Sequence, residues 1–154
     1  MKGFQRISAL AARINKLGVE LSDGQLLRQI LLDNQELILE LNRDQLNDQG
    51  VNSKGEEIFS YAPYSPYTIK RKQRKGQPTD RVTLRDTGKF QAGFKLVVTP
   101  GSYRVTSDDK KTSLLVEKYG PYIFGLTSEN RDKLITDRIL PAIFEQIQNS
   151  IQDV

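Results

Sequence analysis

Asn52–Phe90, NSKGEEIFSYAPYSPYTIKRKQRKGQPTDRVTLRDTGKF, divides the chain into two unlike halves. The stretch opens in a glycine turn, crosses a tyrosine–proline segment and a dense basic run, and closes in Leu-Arg-Asp-Thr-Gly-Lys-Phe. Residues before it have the apolar spacing of helices. Residues after it have the spacing of a short antiparallel sheet and then another helix. The expected class is therefore α+β: a long N-terminal helical region, a small antiparallel β-sheet with a long basic loop, and a C-terminal helix. Structureless connections above roughly 12–15 residues inside a compact domain are usually functional or disordered. Residues 49–81 are read as such an extended basic loop, and they hold the candidate site.

Within the stretch, Pro63 and Pro66 disfavour helix at the residues before them, which predicts an extended segment. Tyr61, Tyr64 and Tyr67 recur every third residue, the period of a polyproline-II turn, and would form one aromatic edge. Thr68 to Gln73 can start a short helix, ended by Gly76 and Pro78. Lys70, Arg71, Lys72, Arg74 and Lys75, with Arg81 and Arg85 nearby, are the densest positive charge in the chain. Tyrosines interleaved with lysine and arginine can stack bases and hold phosphates. A solvated or disordered basic loop has the same composition. Asp86-Thr87-Gly88 matches the tripeptide of aspartic proteases, but those need two carboxylates sharing a proton, and the chain has no second copy. Asp86, Gly88 and Phe90 read instead as a turn anchoring the end of the loop to a strand, with Gly88 supplying a positive φ.

Before the stretch, Phe4, Ile7, Leu10, Ala11, Ile14 and Leu17 mark one face of a helix over residues 3–17, with Lys2, Arg6, Arg13 and Lys16 mostly off that face and Gly18 as C-cap. Residues 1–20 form an accessory amphipathic helix, basic on its outer side. Ser22 or Asp23 caps a second helix over Gln25–Asp48. Its inner stripe is Leu27, Ile30, Leu31, Leu37, Ile38 and Leu41, with Asn34 the one polar member; Leu26, Leu32 and Leu39 widen it beyond one core face. After the stretch, strands are expected at 82–84, 90–98 and 103–107, with Pro100-Gly101 as a hairpin turn. Leu114–Tyr119 fits either a short helix or a strand. A last helix over Glu129–Gln152 carries Ile135, Ile139, Ile143, Ile147 and Ile151, and Pro141 inside it should kink or divide it.

The totals narrow the chemistry. A chain of 154 residues is one domain on length alone. Its apolar share, 37%, predicts a thin core with some apolar surface left for an assembly partner. With no cysteine and no histidine, disulfides, thiolate metal sites, serine triads, cysteine–histidine dyads and histidine-ligated zinc sites are excluded. No cofactor and no metal site is expected: Asp108-Asp109 and the Asp132, Asp137 pair lack the spacing of a calcium loop and read as surface charges. A net charge of +4 favours anionic partners without identifying one. No apolar run is long enough for a membrane span, and Arg6 and Arg13 interrupt the N-terminal apolar patch, so neither membrane contact nor a secretory signal is expected.

Several of these motifs together resemble a known family. Asn42-Arg43-Asp44-Gln45-Leu46 ends a long helix and leads to the Asn52–Gly55 turn. Tyr64-Ser65-Pro66-Tyr67-Thr68 runs into the lysine-rich segment, and Leu84-Arg85-Asp86-Thr87-Gly88-Lys89-Phe90 comes next. This set is similar to the virion morphogenesis proteins of tailed bacteriophages, the group of minor tail, tail-completion and head–tail joining proteins. Lys118-Tyr119-Gly120 and Phe124-Gly125-Leu126-Thr127 resemble the version in phages or prophages of Bacteroides-type bacteria. The resemblance spans roughly residues 25–150.

It implies a virion subunit without a catalytic site, assembled with copies of itself in a ring and joined to other neck, portal or tail proteins. In a ring each subunit uses two different patches, and closure sets the copy number. The loop is then the natural reach toward a neighbour, with Tyr64, Tyr67, Lys70, Arg71 and Arg74 as subunit or DNA contacts. Two other readings compete. A nucleic-acid-binding module using the tyrosine–lysine loop predicts tight, salt-steep DNA binding. A metal-dependent enzyme using only carboxylates predicts a tight Mg²⁺ or Mn²⁺ site.

Overall fold

Asn34 interrupts what the apolar spacing reads as one long helix. The computed structural model describes residues 2–100 and 102–152, without the side chains of residues 2–4. The expected positions of the Lys2 and Phe4 side chains, and the Gly101 half of the hairpin turn, lie outside the described residues. Helix α1 spans Lys2–Ser22, α2 Gln25–Asp33 and α3 Gln35–Asp44. Gly18 does not cap α1, which runs through it to Ser22. The break comes at Asp23-Gly24, where the Asp23 carboxylate accepts from the Gln25 amide at 2.9 Å and Gly24 takes φ 76°. At Asn34 the side chain donates to the Ile30 carbonyl at 2.8 Å, competing with the helical ladder, and a new helix begins one residue later.

The expectation of one domain meets two compact units that part at this asparagine. One comprises Met1–Asn34, Val98–Ser102 and Lys133–Val154; the other comprises Gln35–Val97 and Tyr103–Asp132.

In the first unit α1 packs on α2 and on α9 (Leu140–Gln152), and α2 packs on a π-helical turn, Ile135–Ile139. The C-terminal helix expected to break at Pro141 runs as α8 (Ser128–Leu134), this π turn and α9. Proline offers no N–H and crowds the carbonyl four residues back; widening the turn before it relieves both. The core here is thin: Ile30, Leu31 and Leu134 are its buried apolar side chains among the described residues.

The second unit is where the α+β character resides. α3 ends in a π-helical turn, Gln45–Gln49, closed by Gly50 at φ 66°. A Cβ on Gly50 would stand 2.7 Å from that of Arg81, so the backbones approach here as only glycine permits. The 49–81 segment is no extended loop. It contains α4 (Ile58–Tyr61) and α5 (Pro66–Arg74), and buries Ile58, Tyr64 and Lys72 along its length. The polyproline edge is absent for the same reason: Tyr64 is buried, while Tyr67 lies in a helix and is 74% exposed. Residues 82–84 form no strand, and Leu84 holds a positive φ of 54°. Phe90 is not on a strand either. Gly88, at φ 86°, starts the short helix α6 (Lys89–Ala92), and β1 begins only at Phe94. β1 (Phe94–Thr99) and β2 (Ser102–Ser107) make a two-stranded antiparallel sheet, and the ambiguous 114–119 segment lies in helix α7 (Thr112–Tyr119). Phe90, Phe94 and Phe124 meet at ring-centroid separations of 5.2, 5.8 and 5.6 Å, mostly edge-on, and form the aromatic centre of the unit.

Candidate functional site

The basic helix α5 begins where the sequence contains Ser-Pro. Ser65 caps it, its hydroxyl accepting from the Thr68 amide at 3.2 Å, and Pro66 occupies the first turn, where no N–H is needed. Helical spacing then sorts the charges. Tyr67, Lys70, Arg71 and Arg74 stand at i, i+3, i+4 and i+7, one face. Lys72 falls on the opposite face and is 5% exposed.

Lys72 is an internal cation. Its ammonium donates to the Arg85 carbonyl at 2.7 Å, and at longer range to Gln77 Oε1 (3.3 Å) and Thr83 Oγ1 (3.4 Å). It also lies 4.9 Å from the centre of the Tyr64 ring. The Tyr64 hydroxyl in turn accepts from the Thr83 amide at 2.9 Å. The strand-like segment 83–86 is thus bound to α5 without a strand ladder. Asp86 adds the outer tie, its carboxylate accepting from both Lys75 and Arg71. The Lys75 hydrogen bond, aided by the charges of Arg71 and Lys75, holds that carboxyl below the usual carboxylate value, against the opposing effect of burial. From the other side, Gln91 donates to the Thr83 carbonyl at 2.7 Å and exchanges hydrogen bonds with Asn47 at 3.0 and 3.1 Å; Arg43 Nε donates to the Gln91 carbonyl at 3.1 Å.

The candidate contact residues therefore separate. Tyr64 is core, with its ring against Lys72 and edge-on to Phe59 at 6.4 Å, and it offers no contact surface. Arg71 is exposed but tied to Asp86. Tyr67, Lys70 and Arg74 are exposed and have no ion-pair partner among the described residues. Of the remaining basic run, Lys75 is tied to Asp86 and Arg81 to Asp80 and the Asn47 carbonyl. The charge density seen in the sequence shrinks to Lys70 and Arg74 beside one exposed tyrosine, with Arg85 the one other exposed cation of the patch that has no ion-pair partner among the described residues. Among the described residues there is no group of three acidic side chains placed to hold a metal ion.

Sequence reasoning passed over a set of buried amides. Asn42 donates to the Ile123 carbonyl at 3.2 Å and accepts from the Gly125 amide at 3.0 Å. Gln45 donates to the Gly125 carbonyl at 2.9 Å and accepts from the Thr127 amide at 3.0 Å. Asn52, 1% exposed, accepts from the amides of Lys54 and Glu56 and shapes the turn. These side chains satisfy irregular backbone that no helix or strand satisfies. A signal was present: Asn42 lies four residues after the core Ile38, where a solvated residue is not expected. Comparison with family models, curated proteins and solved structures finds no match to the chain.

Proposed function

We propose that the chain is a non-enzymatic structural subunit of a tailed-phage particle, a neck, tail-completion or minor tail protein that assembles with copies of itself in a ring. The observation that carries this reading is the open apolar surface of the first unit. Its helices leave Ile7 (68%), Ile14 (50%), Val19 (60%), Phe144 (60%) and Ile151 (51%) exposed, while few apolar side chains are buried there. Single exposed apolar residues are ordinary on a protein surface; a recurrence of them along two packed helices marks an interaction surface. A subunit whose helices complete their cores against neighbours has this character. The motifs that resemble phage morphogenesis proteins agree with a scaffold role. Ser65-Pro66 caps α5, Asp86 and Gly88 form a tied turn, and Asn42 and Gln45 pin loops. None of them presents a reacting group.

A second reading rests on Tyr67 exposed beside Lys70 and Arg74, a small platform for a nucleic-acid strand. Sedimentation velocity of the purified chain separates the two. The subunit reading predicts concentration-dependent assembly beyond a dimer, abolished by the pair Ile14→Glu and Phe144→Glu, with weak binding to DNA. A monomer at every concentration, together with tight DNA binding that falls steeply with salt and disappears in Lys70→Ala/Arg74→Ala, would transfer the assignment to the nucleic-acid module.

A further inference from the structure

A cleft of about 810 Å³ in the second unit is independent of α5 and of the subunit reading. Its volume lies in the range of ligand sites. Its walls carry the cations Lys54, Arg104 and Arg131, and no carboxylate is among its lining residues. Lys54 is held over the Tyr122 ring at 3.6 Å, and Arg131 donates to the Ser128 hydroxyl at 3.1 Å; none of the three has an acidic partner among the described residues. The floor is firm, because the Ser53 amide donates to the Tyr122 carbonyl at 2.7 Å.

One wall is a strand edge. Tyr103, Arg104, Val105 and Thr106 all line the cleft, although successive side chains of a strand point to opposite faces. Four consecutive lining residues mean that the cleft runs along the strand. β2 pairs only with β1, and the Tyr103–Thr106 backbone makes no hydrogen bond outside that sheet among the described residues. Such an edge offers N–H and C=O groups in alternation, a template for another strand. A phosphate backbone accepts hydrogen bonds but donates none, so it leaves the edge carbonyls unused; a peptide satisfies both. Burial raises the Tyr103 phenol above its usual value, a shift that the Arg131 charge partly offsets, so at neutral pH it remains a hydrogen-bond donor suited to a carboxylate.

We propose that this cleft takes an extended acidic peptide of a partner protein, added as a third strand on the free edge of β2, with its carboxylates against Lys54, Arg104 and Arg131. The probe is a fluorescein-labelled peptide of alternating glutamate and valine, with binding to the full chain read by anisotropy. Saturable binding is expected, weakened about tenfold by Arg104→Glu/Arg131→Glu, the scale of two exposed charge contacts. Both side chains are exposed, and an unchanged near-ultraviolet tyrosine spectrum checks that the variant folds. The same peptide N-methylated at alternate residues cannot form the ladder and should not bind. No saturation in the millimolar range, binding indifferent to the double variant, or full binding of the methylated peptide would each overturn the proposal. So would a single-stranded oligonucleotide of equal charge that binds more tightly, which would give the cleft to nucleic acid.

Discussion

Lys72→Met separates a structural lysine from its solvated neighbours on the same helix. Methionine keeps most of the buried stem and removes the ammonium. The strongest interaction removed is the 2.7 Å hydrogen bond to the Arg85 carbonyl; the hydrogen bonds at 3.3 and 3.4 Å are long and count for less. A hydrogen bond from a charged donor contributes about 1.5–3 kcal/mol, and here the acceptor that loses its partner is only part-buried. The Tyr64 ring at 4.9 Å adds on the order of 0.5–1 kcal/mol. Relief from holding a cation out of water works in the opposite direction. The net expectation is a destabilisation of about 2–3 kcal/mol, or roughly 1 M in the urea midpoint. All six tyrosines lie in the second unit and the chain has no tryptophan, so tyrosine near-ultraviolet dichroism reports on that unit alone. Lys70→Met and Arg74→Met, two residues away on either side, should change stability by less than about 0.5 kcal/mol in the same titration. A Lys72→Met midpoint at or above the parent's, or equal destabilisation in all three variants, would refute the internal-cation role.

The other polar ties set further outcomes. Asp86 has a carboxyl held below its ordinary value of 3.8, so it contributes stability that is fully present above that value and is lost as pH falls through the depressed one. Asp86→Asn should therefore be less stable than the parent by about 1–2 kcal/mol at neutral pH, the range of two partly exposed ion pairs. In acid unfolding scans, the gap should close only below pH 3.8. Gly50→Ala forces a side chain into a left-handed backbone and against Arg81, and thermal unfolding should show a destabilisation of about 1–3 kcal/mol. Asn42→Leu strands the Ile123 carbonyl and the Gly125 amide; hydrogen exchange at Gly125 should accelerate, with stability lower by about 1–3 kcal/mol.

The class of the fold is legible in the sequence because period decides it: apolar spacing along α1, α2 and α3 is helical, and Phe94, Leu96 and Val98 alternate. The interruptions are harder to place. Asn34 stands out as a polar intruder in an apolar stripe, but the hydrogen bond to Ile30 that ends the helix is a three-dimensional fact. The basic segment misleads because composition reports charge and not burial. Lys72 differs from Lys70 only in helical phase, and that phase is hidden until Ser65 fixes where α5 begins. Residues 82–84 look like a strand and are buried like one, yet the Thr83 amide and carbonyl are satisfied by the side chains of Tyr64 and Gln91 rather than by a neighbouring strand.

The proposed role requires that a phage or prophage encodes the chain, and peptide mass spectrometry of particles purified from that source tests the role most directly. Copies should be counted against the major capsid protein. A ring subunit should be present in the finished particle at a small copy number suited to one ring, far below that of the capsid protein. Expression in the host with absence from the finished particle would contradict the role.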